Sequence, residues 1–315
     1  MRLVAAILLL AVISAAGGVV AASRGPYAVG LDSVLEIWRD ALHDADHVGL
    51  TVTRISPRRE MEIGATIADR IARYRTLADD SPAQAYVAAV GARLARQVQR
   101  PGIAYHFHII RSPAMNAHAI PGGGIYVTTG MLQALESEAE LAALLGHEIS
   151  HVDLRHAIER VQYRTRVRDL GGGAAGDIAA VVHTLVRAGY SSQQELEADT
   201  NGMLLALKAG YDPHGAVALY QKLLEKGTAH PSRPQPQLMV QEVGGALVDA
   251  LLQYFASHPP SEARVRAIEA AVRRHAALWS AQRVYVGRAN YRDRATRDAD
   301  PRADEWQVYQ YYQGR

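Results

Sequence analysis

The sequence predicts an α+β fold, mostly helical, with one small sheet beside a long apolar helix. Three observations predict it. Apolar residues recur at helical spacing through several separate stretches. Only two short runs, 103–110 and 124–129, have β-rich character. Just after the second, Leu141, Leu144, Leu145, Ile149 and Val152 mark a strongly apolar helix that encloses His147-Glu148-Ile149-Ser150-His151.

Taken in order, the chain opens with Arg2 and then an uncharged run from Leu3 to Ala22 that is wholly apolar as far as Ile13. This reads as a signal peptide, residues 1–22, cut before Ser23 after the small residues Val20-Ala21-Ala22. The alternative is an uncleaved anchor, which Gly17 and Gly18 weaken. A single domain is expected over 23–282, followed by a C-terminal tail, 283–315, ordered in part at best. Within the domain, 32–46 is amphipathic through Val34, Leu35, Trp38, Ala41 and Leu42. Its His43-Asp44-Ala45-Asp46-His47 mimics a metal pair, but a solvated helix end is the plainer reading. Helices follow near 60–77 and 82–98, the second opened by Ser81-Pro82. Pro101-Gly102 turns the chain into the first β-rich run, where His106 and His108 face solvent or a neighbouring strand.

Ser137 with Glu140 predicts a capping box at the start of the apolar helix. A second helix should carry Glu195 and Asp199 and end at Gly210, with Asp212-Pro213 opening the next. Gly227 to Gln237 is Pro-rich and predicts a surface loop, and 239–256 and 261–280 look helical. The tail mixes Arg, Asp and Tyr and ends in Trp306, Tyr309, Tyr311 and Tyr312; it is either a loose terminus or a segment that docks through its aromatics.

Composition narrows the function. A chain of 315 residues with 49% apolar and 21% charged residues can bury a sizeable core. A net charge of +2 with both signs interspersed argues against a nucleic-acid partner. With no cysteine there is no disulfide and no thiolate ligand, which suits an exported protein.

The histidine motif carries the chemistry. A helix turns about 100° per residue, so His147 and His151 project from one face and can reach one ion. Zinc suits two imidazoles and a carboxylate, with Zn–N distances of roughly 2.0–2.1 Å. Glu148, one residue round, can lean over the open side and act as base and then acid. Glu195 and Asp199, four apart on their own helix, face one way; Glu195 can ligate while Asp199 takes the outward N–H of a ligand histidine. One Zn2+ per chain is expected. Leu154 and Ala157 stand where the metzincin motif requires Gly and His. His156, in Arg155-His156, points off the ligand face and reads as a polar surface or hinge residue.

Asn116-Ala117-His118-Ala119-Ile120-Pro121-Gly122-Gly123-Gly124, the H-E-I-S-H-V-x-x-R-H helix, and Glu195-Leu196-Glu197-Ala198-Asp199 together resemble the HtpX/BepA/Oma-type metallopeptidase family, relatives of the type-1 CAAX prenyl endopeptidases. Tyr211-Asp212-Pro213 and Ser257-His258-Pro259 through Arg264 fall in that family's order, so the resemblance spans about 55–280. It implies a zincin catalytic domain of the gluzincin type. It implies Glu195 as the third ligand, Asp199 as support for a ligand histidine, and His258 near the metal as a movable ligand or transition-state contact. His230 is a competitor that lacks the following arginine. It further implies that Gly124, Ile125 and Tyr126, on the strand beside the metal, hold an extended substrate by main-chain hydrogen bonds. Ser191-Ser192 departs from the family's Ser-Arg, and Gly171–Gly176 is individual to this chain.

The function implied is a zinc endopeptidase of the bacterial envelope, in the periplasm and with membrane association if the anchor is retained. Its substrates would be unfolded or misassembled polypeptides. The competing reading is a chaperone-like binding protein on the same scaffold, its proteolysis latent or negligible.

Overall fold

A computed structural model describes residues 54–74, 77–78, 82–162, 189–229 and 258–309, all within one unit, Leu50–Arg315. The fold is α+β and mostly helical, as expected. Helices α1 (Pro57–Tyr74) and α2 (Pro82–Ala95) precede strands β1 (His106–Ile110), β2 (Ala117–Ala119) and β3 (Gly124–Thr128). Then come α3 (Thr129–Ala134), the motif helix α4 (Glu138–Asp153), α5 (Ser192–Lys208), α6 (His214–Ala229), α7 (Glu262–Arg274) and α8 (Ala276–Trp279). The chain closes through β4 (Arg283–Tyr285), α9 (Arg288–Asp293), a 3-10 turn and β5 (Trp306–Val308). No helix among the described residues is long and apolar enough to cross a membrane. The N-terminal segment, the helices expected at 32–46 and 239–256, the Gly171–Gly176 run and His230 lie outside the described residues.

Every residue of α4 is buried, so the apolar run in the sequence is the signature of a helix packed on all sides. Its start is anchored by Ser137 Oγ, which accepts from Glu140 N at 3.1 Å. Only half of the expected capping box forms, because Glu140 Oε2 takes the N–H of Glu136 and the ammonium of Lys222. The full reciprocal box is at Ser191 and Gln194, at the start of α5. That helix ends in a Schellman motif: Gly210, at φ 86°, lets Tyr211 N reach Ala206 O at 2.9 Å and Gly210 N reach Leu207 O at 2.8 Å. Asp212 Oδ1 then accepts from His214 N at 2.9 Å and opens α6.

Helices α4 and α5 meet at two glycines. A Cβ on Gly146 would lie 2.5 Å from Gly202 O, and one on Gly202 would lie 2.5 Å from His147 N. The backbones touch there, one residue from the first motif histidine.

The sheet has the order β1-β3-β2, with β1 parallel and β2 antiparallel to β3. The side-chain amide of Gln84 ties α2 to it, donating to Phe107 O and accepting from Ile109 N at 2.9 Å.

The tail expected from residue 283 is part of the body as far as residue 309. Strands β4 and β5 pair with each other, Tyr291 is buried, and its hydroxyl donates to Leu132 O at 2.5 Å. Gly287 O and Val286 O accept the N–H groups of Glu138 and Ala139 at 3.1 and 3.0 Å, which the first turn of α4 cannot satisfy itself. Arg297 donates to Ala209 O and Gly210 O, the free carbonyls at the end of α5, and stacks 4.7 Å from the Tyr211 ring. The segment therefore caps both helices, and its aromatic residues and Arg297 are what hold it.

Candidate metal centre

Helix α4 presents His147 and His151 toward α5, and the Gly146–Gly202 contact brings Glu195 and Asp199 close enough to meet them. His147 Nε2 and His151 Nε2 lie 3.1 Å apart. Glu195 Oε1 is 3.5 Å from His151 Nε2, and its Oε2 is 3.7 Å from His147 Nε2. From the loop before α7, His258 brings Nδ1 to 3.1 Å from His147 Nε2 and 2.9 Å from Glu195 Oε1. The four side chains are buried and their ligand atoms lie within 4.8 Å of one another.

Lone pairs buried face to face repel unless a proton or a cation lies between them. Burial holds His151 well below its usual pKa, and His147 and His258 add to that effect. Donors tetrahedrally placed about a zinc-sized ion would be about 3.3 Å apart, close to the separations found. The donor set fits a divalent metal.

The surrounding groups orient these donors. His147 Nδ1 is 2.9 Å from Asp199 Oδ1 and 3.1 Å from the hydroxyl of Tyr220. Arg264, buried on α7, donates from Nε and Nη2 to both oxygens of Asp199 at 2.8 and 2.7 Å. Its Nη1 lies 2.8 Å from Glu195 Oε2. Burial opposes ionisation of both carboxylates, but His258 and Arg264 hold Glu195 well below the usual range, and Arg264 holds Asp199 below it. One arginine thus secures the two acidic residues at the required spacing.

His156 is not a surface residue. It is 3% exposed, with Nδ1 3.2 Å from His151 Nδ1 and Nε2 3.3 Å from Glu197 Oε2. The left-handed turn at Arg155, φ 72°, swings it back against the helix it follows. Tyr190 completes the enclosure, its ring stacked 3.6 Å from that of His151. Sequence reasoning missed His156, Tyr190 and Tyr220. Only the adjacency of His156 to the motif was available as a signal.

Glu148 is 0% exposed, and neither carboxylate oxygen finds a partner with full hydrogen-bond geometry among the described residues. Burial pushes its carboxyl up to about 7, with the backbone of Ala119 among the groups pulling it back. His258 Nε2 is 3.7 Å from Glu148 Oε1, so His258 fills the space between that carboxylate and the donor set.

The strand expected to offer a free edge does not. Gly124, Ile125 and Tyr126 lie on β3, which is central, so their main-chain groups are used by β1 and β2. The edge nearer α4 is β2. Thr128 N bonds Asn116 O and Ile120 N bonds Gly124 O, both at 2.9 Å, so 116, 118 and 120 face β3 and the main chains of Ala117 and Ala119 face outward.

Known proteins share this stretch. Over 192 residues the chain is 31% identical to the mitochondrial metalloendopeptidase OMA1 of Arabidopsis thaliana, covering 59% of this chain and 36% of that protein. The Schizosaccharomyces pombe protein of the same name is 28% identical over 202 residues, 62% of this chain and 55% of the relative. The beta-barrel assembly-enhancing protease of Escherichia coli is 28% identical over 203 residues, 59% and 41% respectively. The chain thus spans between about a third and somewhat over half of these relatives' lengths. The family model for peptidase family M48 matches residues 81–272, a stretch holding both motif helices, His258 and Arg264. With the donor set and its supporting groups all inside a match that covers more than half of the sequence, the chain belongs to peptidase family M48.

Proposed function

We propose that this protein is a zinc endopeptidase of the bacterial envelope that cuts unfolded or misassembled polypeptides. The observation that carries the reading is Glu148: a buried carboxylate with no partner of full hydrogen-bond geometry among the described residues, set beside a converging His147, His151 and Glu195 donor set. His147 and His151 would hold the ion through Nε2 and Glu195 through a carboxylate oxygen. Zinc held there supplies Lewis acidity, acidifying water and polarising a carbonyl. Glu148 takes a proton from the attacking water onto a carboxylate oxygen and delivers it to the amide nitrogen that leaves. Asp199 accepts the Nδ1–H of His147, which keeps Nε2 free to ligate. The outward main chain of Ala117 and the carbonyl of Ala119 hold the substrate as an added strand.

His258 supports a second state. With its Nδ1 among the donors it closes the site with four protein groups, the pattern of a structural metal. In that state the protein binds clients without cutting them, and His258 must withdraw before a peptide carbonyl can enter. The apolar N-terminal run, Leu3 to Ile13, read as an export signal, supports a periplasmic location.

Metal content and casein cleavage, measured on wild type and Glu148→Gln, test the reading. One zinc in each with cleavage by wild type alone is the expected result. Zinc in both with cleavage by neither shifts the reading to the closed state, and His258→Ala should then release activity. If His258→Ala is also inert, the endopeptidase reading is wrong.

A further inference from the structure

Beside the donor set, two side chains carry shielded nitrogens with no partner of full hydrogen-bond geometry among the described residues. Arg160 lies on the helical turn 156–162 that follows Arg155. Its guanidinium carbon sits 4.1 Å from the centre of the Tyr190 ring. The other face of that ring is taken by His151. Nε and Nη2 of Arg160 are shielded from solvent without a partner of full hydrogen-bond geometry, the Tyr190 hydroxyl interacts with the guanidinium, and no described carboxylate pairs with it. Arg100, Arg155 and Arg264, which pack around the same motif helix, each meet one. The second group is His118 on β2. Its ring stacks 5.4 Å from Tyr126, and its Nε2 is likewise buried and unbonded. Burial lowers the pKa of this imidazole, and His258 and Arg160 add to the effect, which places all three groups in one neighbourhood.

Guanidinium nitrogens shielded from water without an acceptor are unfavourable, and a fold retains them where a ligand supplies one. A peptide added to the outer edge of β2 turns every second side chain toward the face that carries His118. We propose that Arg160, assisted by His118, forms an anion subsite of the peptide cleft that takes a carboxylate of the substrate. The inference rests on the endopeptidase reading and deepens it. Either an acidic side chain or a C-terminal carboxylate has the required chemistry. Arg160 and His118 are half-buried, whereas Glu148 and His147 are fully enclosed, so this corner is the more open part of the site.

The test uses zinc-loaded full-length protein and quenched-fluorescence peptides of one neutral sequence. Glu and Gln alternate at each position in turn, and a further pair ends in a free carboxylate or an amide. At one position, or at the terminus, the acid should be preferred by at least about tenfold in kcat/KM, the worth of a charge-assisted pair. The position of the preference separates side chain from terminus. Arg160→Gln should bring the ratio to about one, Arg160→Lys should keep part of it, and Arg160→Glu should favour Lys at the same position. Equal cleavage of every wild-type pair overturns the subsite while leaving the peptidase standing, and so does a preference that survives Arg160→Gln. If neither wild type nor His258→Ala cleaves any of them, the peptidase reading has failed separately. Binding of the same pairs to Glu148→Gln protein, followed by fluorescence anisotropy, then decides, and equal affinities overturn the subsite.

Discussion

Helix α4 has a buried polar cluster at each end, and the two are built on opposite rules. At its start, Glu138 is 0% exposed and its oxygens accept from the hydroxyls of Tyr86 at 3.0 Å and Tyr211 at 2.7 Å. Burial outweighs those bonds and raises its carboxyl above the usual value, but every oxygen has a donor. Near its other end, the lone pairs of His147, His151, Glu195 and His258 face one another, and Glu148 has no partner with good geometry. The first cluster is complete within the protein and serves the fold. The second is completed only by something added. Satisfaction of hydrogen bonds, not burial or charge, tells the structural cluster from the functional one.

The contrast can be broken from either end. Glu148→Gln should lower turnover by roughly 10²–10⁴-fold with zinc retained and the melting temperature little changed, as followed by casein hydrolysis and calorimetry. Glu138→Ala should do the reverse. Two buried hydroxyls lose their acceptor at a cost of about 2–5 kcal/mol, visible in urea unfolding, while turnover per folded, metal-loaded molecule holds. A turnover loss matching that of Glu148→Gln would erase the distinction. Between these extremes, Asp199→Asn should weaken zinc binding by roughly 10–100-fold in chelator competition, with His156→Phe at the lower end of that range. Unchanged zinc affinity together with a lower melting temperature would move Asp199 and Arg264 to the structural side.

The smallest effect lies outside both clusters. Burial opposes ionisation of Asp212, but bonds from His214 and Tyr309 hold its carboxyl below the ordinary 3.8. A lowered value means that the stabilisation is full above 3.8 and is lost as pH falls through the folded-state value. Asp212→Asn should therefore cost about 1 kcal/mol at neutral pH, and the gap to wild type should close on acidification. A gap that stays constant down to acid unfolding would mean that the charge contributes nothing.

How much was legible depended on the distance over which a feature is encoded. His147, Glu148 and His151 lie within one helical turn, as do Glu195 and Asp199, so spacing alone aligned them. His258 lies far along the chain and was reached only through family order. Arg264 was visible only as the close of the Ser257-His258-Pro259 motif, and its grip on Asp199 and Glu195 depends on how α7 crosses α5. Strand order is non-local in the same way. Nothing in Gly124-Ile125-Tyr126 says that β1 will flank it in parallel and leave the edge to β2. His156 was misjudged because an ideal helix continued past Leu154 carries it away, whereas the chain reverses at Arg155. The aromatic residues of the tail were noticed, but their partners, the ends of α4 and α5, are set by tertiary packing.

The crossing of Gly146 on Gly202 bears on how relatives of this chain are recognised. Two helices already in backbone contact leave no slack, so a single methyl at either glycine would wedge the donor set open from behind while every donor stayed in the sequence. A gene bearing that one change would still pass any search for the histidine and acidic motifs, and its product would be counted among active enzymes. The pair of glycines is a credential that the motifs alone do not carry.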